Sequence, residues 1–137
     1  MAPGGIAIIL VDTSIWVAVL RDASRRSALE AALAGVAPVL SRFTQLELLA
    51  GCRDERQWDI LNGYLAAQDY VELATGSWSQ ATRLFFDLRR RKKDVSSAIT
   101  CCVAQLALDH DLLLLHGDRD FETIASVRNL RQRRLAL

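Results

Sequence analysis

Three acidic residues, Asp12, Glu47 and Asp118, are spaced so that their carboxylates could hold a metal ion. Asp12 directly follows the apolar run 6–11, and Asp118 comes soon after a second apolar run, 112–115. Short, almost wholly apolar runs are typical of strands buried on both faces of a parallel sheet. The carboxyl ends of parallel strands meet at one edge, where ligands bind. Carboxylates brought together there repel unless a cation neutralises them, and their oxygens suit Mg²⁺ or Mn²⁺, which bridge to substrate phosphates.

Asp12 and Glu47 also have purely structural interpretations. Thr13 and Ser14 supply N-cap chemistry for a helix, and Asp12 could itself be the cap of that helix. Glu47 ends the segment 44–47, TQLE, which fits a capping box and would let its carboxylate bond back to the start of the helix. Both alternatives stay open at the level of sequence.

Length and composition indicate one domain with a sizeable core. The chain has 137 residues, of which 51% are hydrophobic, so we expect a single domain over 1–137, with a core of about 6–127 and a basic C-terminal tail, 128–137. No stretch is long and apolar enough for a membrane span, and no secretory leader is evident, which favours a cytoplasmic protein. Three cysteines without C-x-x-C spacing indicate neither a disulfide framework nor a zinc site.

The net charge of +1 conceals two basic segments. Residues 83–93 carry six Lys or Arg side chains against one Asp, and residues 128–134 carry four Arg side chains. Such segments could contact the phosphates of a nucleic acid. They could equally be solvated helix ends, since cations favour the last turn of a helix.

The order of the elements indicates the fold class. Segments 38–40 and 70–73 read as strands, while 54–68, a stretch from Ser77, and another from Ser96 or Ser97 have helical spacing. Strands separated by helices predict an α/β protein, a three-layer α/β/α sandwich with a small central parallel sheet.

Three fragments in order, LVDTSIW (10–16), TQLELLAG (44–51) and LLLLHGDRDF (112–121), resemble the PIN-domain nucleases. The resemblance is closest to the VapC-type toxins of bacterial toxin–antitoxin pairs, and it extends from about residue 6 to 125. It implies a PIN-like fold and a metal-dependent endoribonuclease that uses Mg²⁺ or Mn²⁺. The residues that match the family's motif are the acidic ligands Asp12, Glu47 and Asp118, the small polar neighbours Thr13 and Ser14, and a frequent extra acid, Asp120, whose alternative is to cap the next helix.

One position departs from the family's pattern. A further aspartate usually lies near the start of the helix before the last strand, in a pattern resembling S-x-I-D-C-x-I-A. This chain reads SAITCCVA over 97–104, which puts Thr100 at the position of the acid. A threonine hydroxyl is neutral and a poor metal ligand, so divalent-metal binding and catalysis should be weaker. Thr100 is either an introduced change or a natural variant, and the sequence does not separate the two.

The resemblance also implies partners. These are an RNA substrate, a VapB-like antitoxin whose C-terminal segment blocks the site, and a second copy of the chain in a homodimer. His110 and His116 flank the last predicted strand, and we interpret both as structural or surface residues. No histidine is therefore an obvious general base. The residues expected to contact RNA are Arg89, Arg90, Arg91, Lys92, Lys93 and Arg119.

Two other classes of function remain open. A catalytically weak or inactive binding module could use the acidic pocket to accept an arginine from a partner. A phosphatase with an aspartyl nucleophile is less consistent, because Ser14 stands where such enzymes carry their second acid.

Overall fold

A single parallel sheet forms the centre of the computed structural model, which describes residues 8–137. Its strand order is β3-β2-β1-β4-β5, so the first strand lies in the middle. The strands are β1 (Ile9–Val11), β2 (Pro38–Ser41), β3 (Asp69–Val71), β4 (Leu113–His116) and β5 (Gln132–Arg134).

Within residues 8–137, seven α-helices connect and cover these strands. They are α1 (Thr13–Arg21), α2 (Arg26–Leu33), α3 (Arg42–Ala50), α4 (Glu55–Ala66), α5 (Ser77–Arg90), α6 (Ala98–Asp109) and α7 (Asp120–Ala125), with a short 3₁₀ turn at Ala23–Arg25. No helix within residues 8–137 is long and apolar enough to cross a membrane.

Side chains that alternate along the central strands divide the core into two layers. In β1, Leu10 packs with α5, α6 and α7, whereas Ile9 and Val11 pack with α1 to α4. In β4, Leu114 and Leu115 divide between the same two layers. Because successive side chains of a strand point to opposite faces, both faces of the sheet are covered. The predicted three-layer α/β/α sandwich is therefore confirmed.

The register places β1 between two parallel neighbours, with all three of its residues paired to β4 and two of them to β2. Ile9 pairs with Pro38 of β2 and with Leu113 of β4, all in parallel orientation. The amide of Asp12 continues this ladder by donating to the carbonyl of Leu115 at 3.0 Å. The residue after β1 is thus held at the carboxyl edge of the sheet, beside the end of β4.

Element bounds differ from the sequence-based expectation at several points. The expected strand 6–11 begins at Ile9, and the first two of its residues lie outside the described part of the chain. The strand expected at 112–115 is shifted by one, so His116 lies within β4 rather than beside it. The second apolar run is confirmed as a parallel strand that is buried except at the half-buried Leu113, and it pairs directly with the first.

The expectation of a basic tail over 128–137 is wrong for its central residues. Gln132–Arg134 form β5, which pairs in parallel with β4 at the edge of the sheet. An edge strand tolerates exposed charged side chains, which also discourage pairing with other chains. Alternation with apolar residues, the usual signal of a strand, is therefore absent here.

The cysteines of α6 are packed into the core. Cys101 and Cys102 are buried, and burial raises the pKa of the Cys101 thiol to about 11. A thiol held protonated in this way packs as a small hydrophobic side chain.

Candidate active site

The predicted acids line one cleft at the carboxyl edge of the sheet. Asp12 follows β1, Asp118 follows β4, and Glu47 reaches the cleft from α3. Thr100, in the first turn of α6, lines the same cleft. The cleft has a volume of about 460 Å³, and its apolar wall is formed by Val17, Ile99, Val103 and Phe121.

Asp12 both caps a helix and faces the cleft. It is the N-cap of α1, with Oδ2 accepting from the amide of Ser14 at 3.1 Å and from its hydroxyl at 2.6 Å. The helix therefore begins at Thr13, and the N-cap role expected of Thr13 and Ser14 belongs to Asp12. Capping occupies only one carboxylate oxygen, because no side chain or amide within residues 8–137 donates to Oδ1. The structural and functional interpretations of Asp12 are thus compatible.

Glu47 does not belong to a capping box. Ser41 is the N-cap of α3 and accepts from the amide of Thr44, so Glu47 lies in the second turn of the helix. Its Oε1 accepts a hydrogen bond from the hydroxyl of Thr13 at 3.0 Å, and that hydroxyl also contacts the Thr44 hydroxyl at 2.8 Å. The side chain is consequently directed across to α1, towards the other acids.

Ser14 connects the two acids that follow strands. Its hydroxyl donates to Asp12 and accepts from the amide of Gly117 at 2.9 Å. Gly117 immediately precedes Asp118, whose own Oδ1 accepts from the amide of Asp120 at 2.9 Å. One serine hydroxyl therefore ties the end of β1 to the turn that carries Asp118.

Asp120 does not reach the cleft lining. Its Oδ2 accepts from the amide and the hydroxyl of Ser96 at 2.9 and 2.8 Å, which holds the loop before α6 against the start of α7. It is the first residue of α7 and not the N-cap, which is Arg119. The N-cap interpretation is wrong, and the metal-ligand interpretation of Asp120 has no support from this geometry.

The donor set is chemically suited to a hard cation but does not converge on one point. Oxygen atoms of carboxylates and hydroxyls surround the cleft, and these are the ligands that Mg²⁺ and Mn²⁺ prefer. Within residues 8–137, no three Asp, Glu, His or Cys side chains are close enough together to hold an ion as they stand. Thr100 contributes a neutral hydroxyl to the lining of the cleft.

The basic residues expected to contact RNA lie outside the cleft lining. Residues 89–93 follow one another at the end of α5, where Arg89 lies over the ring of Phe85 and Arg90 over that of Phe86. Arg119 is exposed beside Asp118. Other members of the basic segments are paired, since Arg83 and Arg128 both contact Asp87.

A large apolar groove adjoins the cleft and was not predicted from the sequence. It lies between α1, α3 and α4, has a volume of about 940 Å³, and shares Val17 and Glu47 with the cleft. Trp16 lines it, and its Nε1 is the one buried side-chain polar atom within residues 8–137 that has no hydrogen-bond partner. In the structure, apolar residues of these helices stay exposed along the groove, among them Leu20, Ile60 and Tyr64. The signal that the sequence offers is the presence of these apolar residues on helices that do not bury them.

Comparison with known proteins finds relatives among the VapC ribonucleases. The chain is similar to the ribonuclease VapC51 of Mycobacterium tuberculosis, at 31% identity over 86% of this chain and 85% of that protein. It is also similar to the VapC ribonuclease Mb1587 of Mycobacterium bovis, at 29% identity over 90% of this chain and 96% of that protein.

Solved structures share the fold. The DNA-bound VapBC structure from Salmonella typhimurium superposes with a TM-score of 0.77 at 17% identity, covering 95% of this chain and 99% of that one. VapBC-1 from nontypeable Haemophilus influenzae gives a TM-score of 0.76 at 15% identity, covering 93% and 98%. The family model for the PIN domain matches residues 9–127, and this chain therefore belongs to the PIN-domain family.

Proposed function

We propose that this chain is a VapC-like toxin, a metal-dependent endoribonuclease that hydrolyses RNA phosphodiester bonds in the cytoplasm. The observation that carries the proposal is the meeting of Asp12, Glu47 and Asp118 in one cleft at the carboxyl edge of a parallel sheet. The relatives named as VapC ribonucleases support the same activity. We take residues 1–137 as one domain.

Asp12, Glu47 and Asp118 would hold Mg²⁺ or Mn²⁺. When bound, such an ion supplies an acidified water and positive charge beside the scissile phosphate. The chain's own residues prepare the site, since Ser14 and Thr13 each hold one carboxylate in place. With the ion absent, the acids repel the RNA backbone, so the protein binds its substrate productively only after loading with metal.

The apolar groove is where we propose that a VapB-like antitoxin binds. An amphipathic helix is the kind of segment that occupies such a groove, with its apolar face against Leu20 and Ile60. The side chain of Trp16 also lines the groove and adds to the apolar surface that such a helix would cover. Because the groove is continuous with the cleft through Glu47, an arginine of the same segment could reach the acids and exclude RNA.

A homodimer is the second proposed assembly. Large apolar side chains are also exposed on α3, α5 and α6. They are Leu46, Trp78, Phe86 and Ile99. We propose that a second copy of the chain covers part of this exposed apolar surface.

The runner-up function is a PIN-fold binding module without appreciable catalysis. Thr100 favours it, because the cleft has three acids and no preformed set that could hold an ion within residues 8–137. Such a module would bind an antitoxin or RNA but would not cleave.

Metal titration separates the two functions. Calorimetry of the unmodified chain with Mn²⁺ should show saturable binding that is lost in Asp118→Asn if the chain is a nuclease. Cleavage of total RNA should then depend on Mn²⁺ and should increase in Thr100→Asp. If neither the unmodified chain nor Thr100→Asp binds Mn²⁺ or cleaves RNA, the protein is a binding module.

A further inference from the structure

His116 is buried beside the candidate site yet takes no part in the proposed chemistry. It lies in β4 with 0% exposure, and its ring packs against Phe121 with the centroids 5.0 Å apart. Burying an imidazole costs free energy unless both ring nitrogens find partners. Both do in this protein, and one of the partners belongs to Asp118.

The two hydrogen bonds determine which ring nitrogen carries the proton. The amide of Asp118 can only donate, and it donates to Nδ1 of His116 at 3.1 Å. Nδ1 is therefore unprotonated, and the proton is on Nε2, which donates to Oε1 of Gln132 at 2.6 Å. Gln132 belongs to β5, so the edge strand holds the ring in the tautomer that accepts from Asp118.

The series of hydrogen bonds continues from Asp118 to the other side of the cleft. Asp118 Oδ1 accepts from the amide of Asp120, and Asp120 Oδ2 accepts from Ser96, just before the helix that carries Thr100. The bond from the Asp118 amide to His116 connects the backbone of the acid to β5 through Gln132. The turn is also held by the Asp118 carbonyl, which accepts from the amide of Phe121 at 3.2 Å, and by the Gly117 amide, which donates to Ser14.

We propose that His116, held by Gln132, is a positioning residue that sets Asp118 for metal binding in this PIN domain. This inference rests on the proposed function, because it assumes that Asp118 binds a metal ion. The hydrogen bonds of His116 do not depend on that assumption. Partners in the outer shell of a metal site typically change metal affinity by 10–100-fold when they are removed.

A matched pair of substitutions separates positioning from simple packing. His116→Asn places an amide oxygen near the position of Nδ1, so it can still accept from the Asp118 amide but loses Gln132. His116→Gln places its amide near the position of Nε2, so it keeps the bond to Gln132 but loses the acceptor for Asp118. Both variants lose the ring that packs on Phe121.

We expect His116→Gln to bind Mn²⁺ about tenfold or more weakly than His116→Asn, in both the Thr100 chain and a Thr100→Asp background. Thermal midpoints should fall to a similar extent in the two variants. Equal Mn²⁺ affinities in the two variants would overturn the proposal, because the ring would then act only through packing.

A second measurement needs no variant and no metal. Imidazole ¹⁵N shifts of the unmodified protein should report an Nε2–H tautomer, and the Asp118 amide should exchange slowly with solvent. An Nδ1–H tautomer, or an Asp118 amide that exchanges as fast as an exposed loop, would refute the positioning role even if a variant fails to fold. Absence of Mn²⁺ binding together with an Nε2–H tautomer would instead count against the proposed function and leave the hydrogen bonds to Asp118 established.

Discussion

Thr100 lines the same cleft as three carboxylates and adds no charge to it. The missing charge changes the balance between repulsion among the acids and attraction for a cation. With one fewer negative charge, the metal-free protein suffers less repulsion, and the bound ion gains less attraction. A single position can therefore shift stability and metal affinity in opposite directions.

Thr100→Asp should make that shift visible. We expect its Mn²⁺ affinity to rise about tenfold or more, since one added charge near a divalent ion contributes more than about 1.4 kcal/mol. Its thermal midpoint should be lower than that of the unmodified chain without metal and higher at saturating Mn²⁺. Thr100→Asn, similar in shape but neutral, is the control and should show neither change. A rise in affinity for both variants would mean that charge is not the cause.

Ser14 is the residue whose loss should uncouple the two acids that follow strands. Ser14→Ala removes the bond to Asp12 and the acceptor for the Gly117 amide, so stability should fall by about 1–2 kcal/mol in urea unfolding. Mn²⁺ affinity should fall as well, because the turn that carries Asp118 is released.

Ser24 provides a matched control for Ser14. Its amide and hydroxyl donate to Asp22 at 3.0 and 2.6 Å, which is the same local arrangement at two residues that do not line the cleft. Ser24→Ala should lower stability slightly and leave Mn²⁺ affinity unchanged. If the two alanine variants alter metal binding equally, Ser14 has no special connection to the acids.

Helix α2 ends at a residue whose backbone conformation is unfavourable for alanine. Ala34, the C-cap, has φ +50°, in the left-handed region where a Cβ is unfavourable, and it is exposed. Ala34→Gly should raise the free energy of unfolding by about 1 kcal/mol, measured from urea midpoints. Ala31→Gly, in the exposed interior of the same helix, should lower it by about 1 kcal/mol. If both substitutions changed the free energy of unfolding in the same direction, glycine would be acting here through chain flexibility alone.

Elements were predictable where burial dictated the residue types. The four leucines of 112–115 identified β4 because a strand covered on both faces must be apolar throughout. The polar sequence of β5, Gln132–Arg134, carries no such signal, because one neighbouring strand and open solvent impose no alternation. Its position depends on pairing with β4, which is a property of the folded chain.

The candidate site shows the same division. Asp12 and Asp118 could be placed together because the ends of parallel strands share an edge. Glu47 was ambiguous, because Thr44 and Ser41 are both plausible caps and the choice depends on where β2 ends. The contacts of His116 could not be foreseen, since its partner Gln132 lies in the strand that was missed.

One ion-pair cluster joins α5 to the segment that leads into β5. Asp87 of α5 accepts from Arg128 at 2.7 Å and from Arg83 at 3.0 Å. The hydrogen bond from Arg128 is the largest cause of the lowered pKa of Asp87, and Arg83 adds to it. This cluster helps to hold β5 in place, and the proposed role of Gln132 depends on the position of that strand.

The lowered pKa of Asp87 gives a pH dependence with a definite sign. A carboxyl whose pKa is lower in the folded than in the unfolded state binds fewer protons when folded, so its contribution is complete above the ordinary aspartate pKa of about 3.9. That contribution is lost as the pH falls below about 3.9 and through the lower folded value. The free energy of unfolding should therefore decrease over this range, measured by urea unfolding at a series of pH values.

Arg128→Gln should flatten that decrease, since it removes the main cause of the shift at Asp87. The matched control is Arg26→Gln, which breaks an exposed pair with Glu30 at 3.7 Å within one helix and should leave the profile unchanged. Because β5 is seated by this cluster, Arg128→Gln should also speed exchange of the Asp118 amide, whereas Arg26→Gln should not. A flattened profile without faster exchange would mean that the cluster stabilises α5 but does not act on the site through β5.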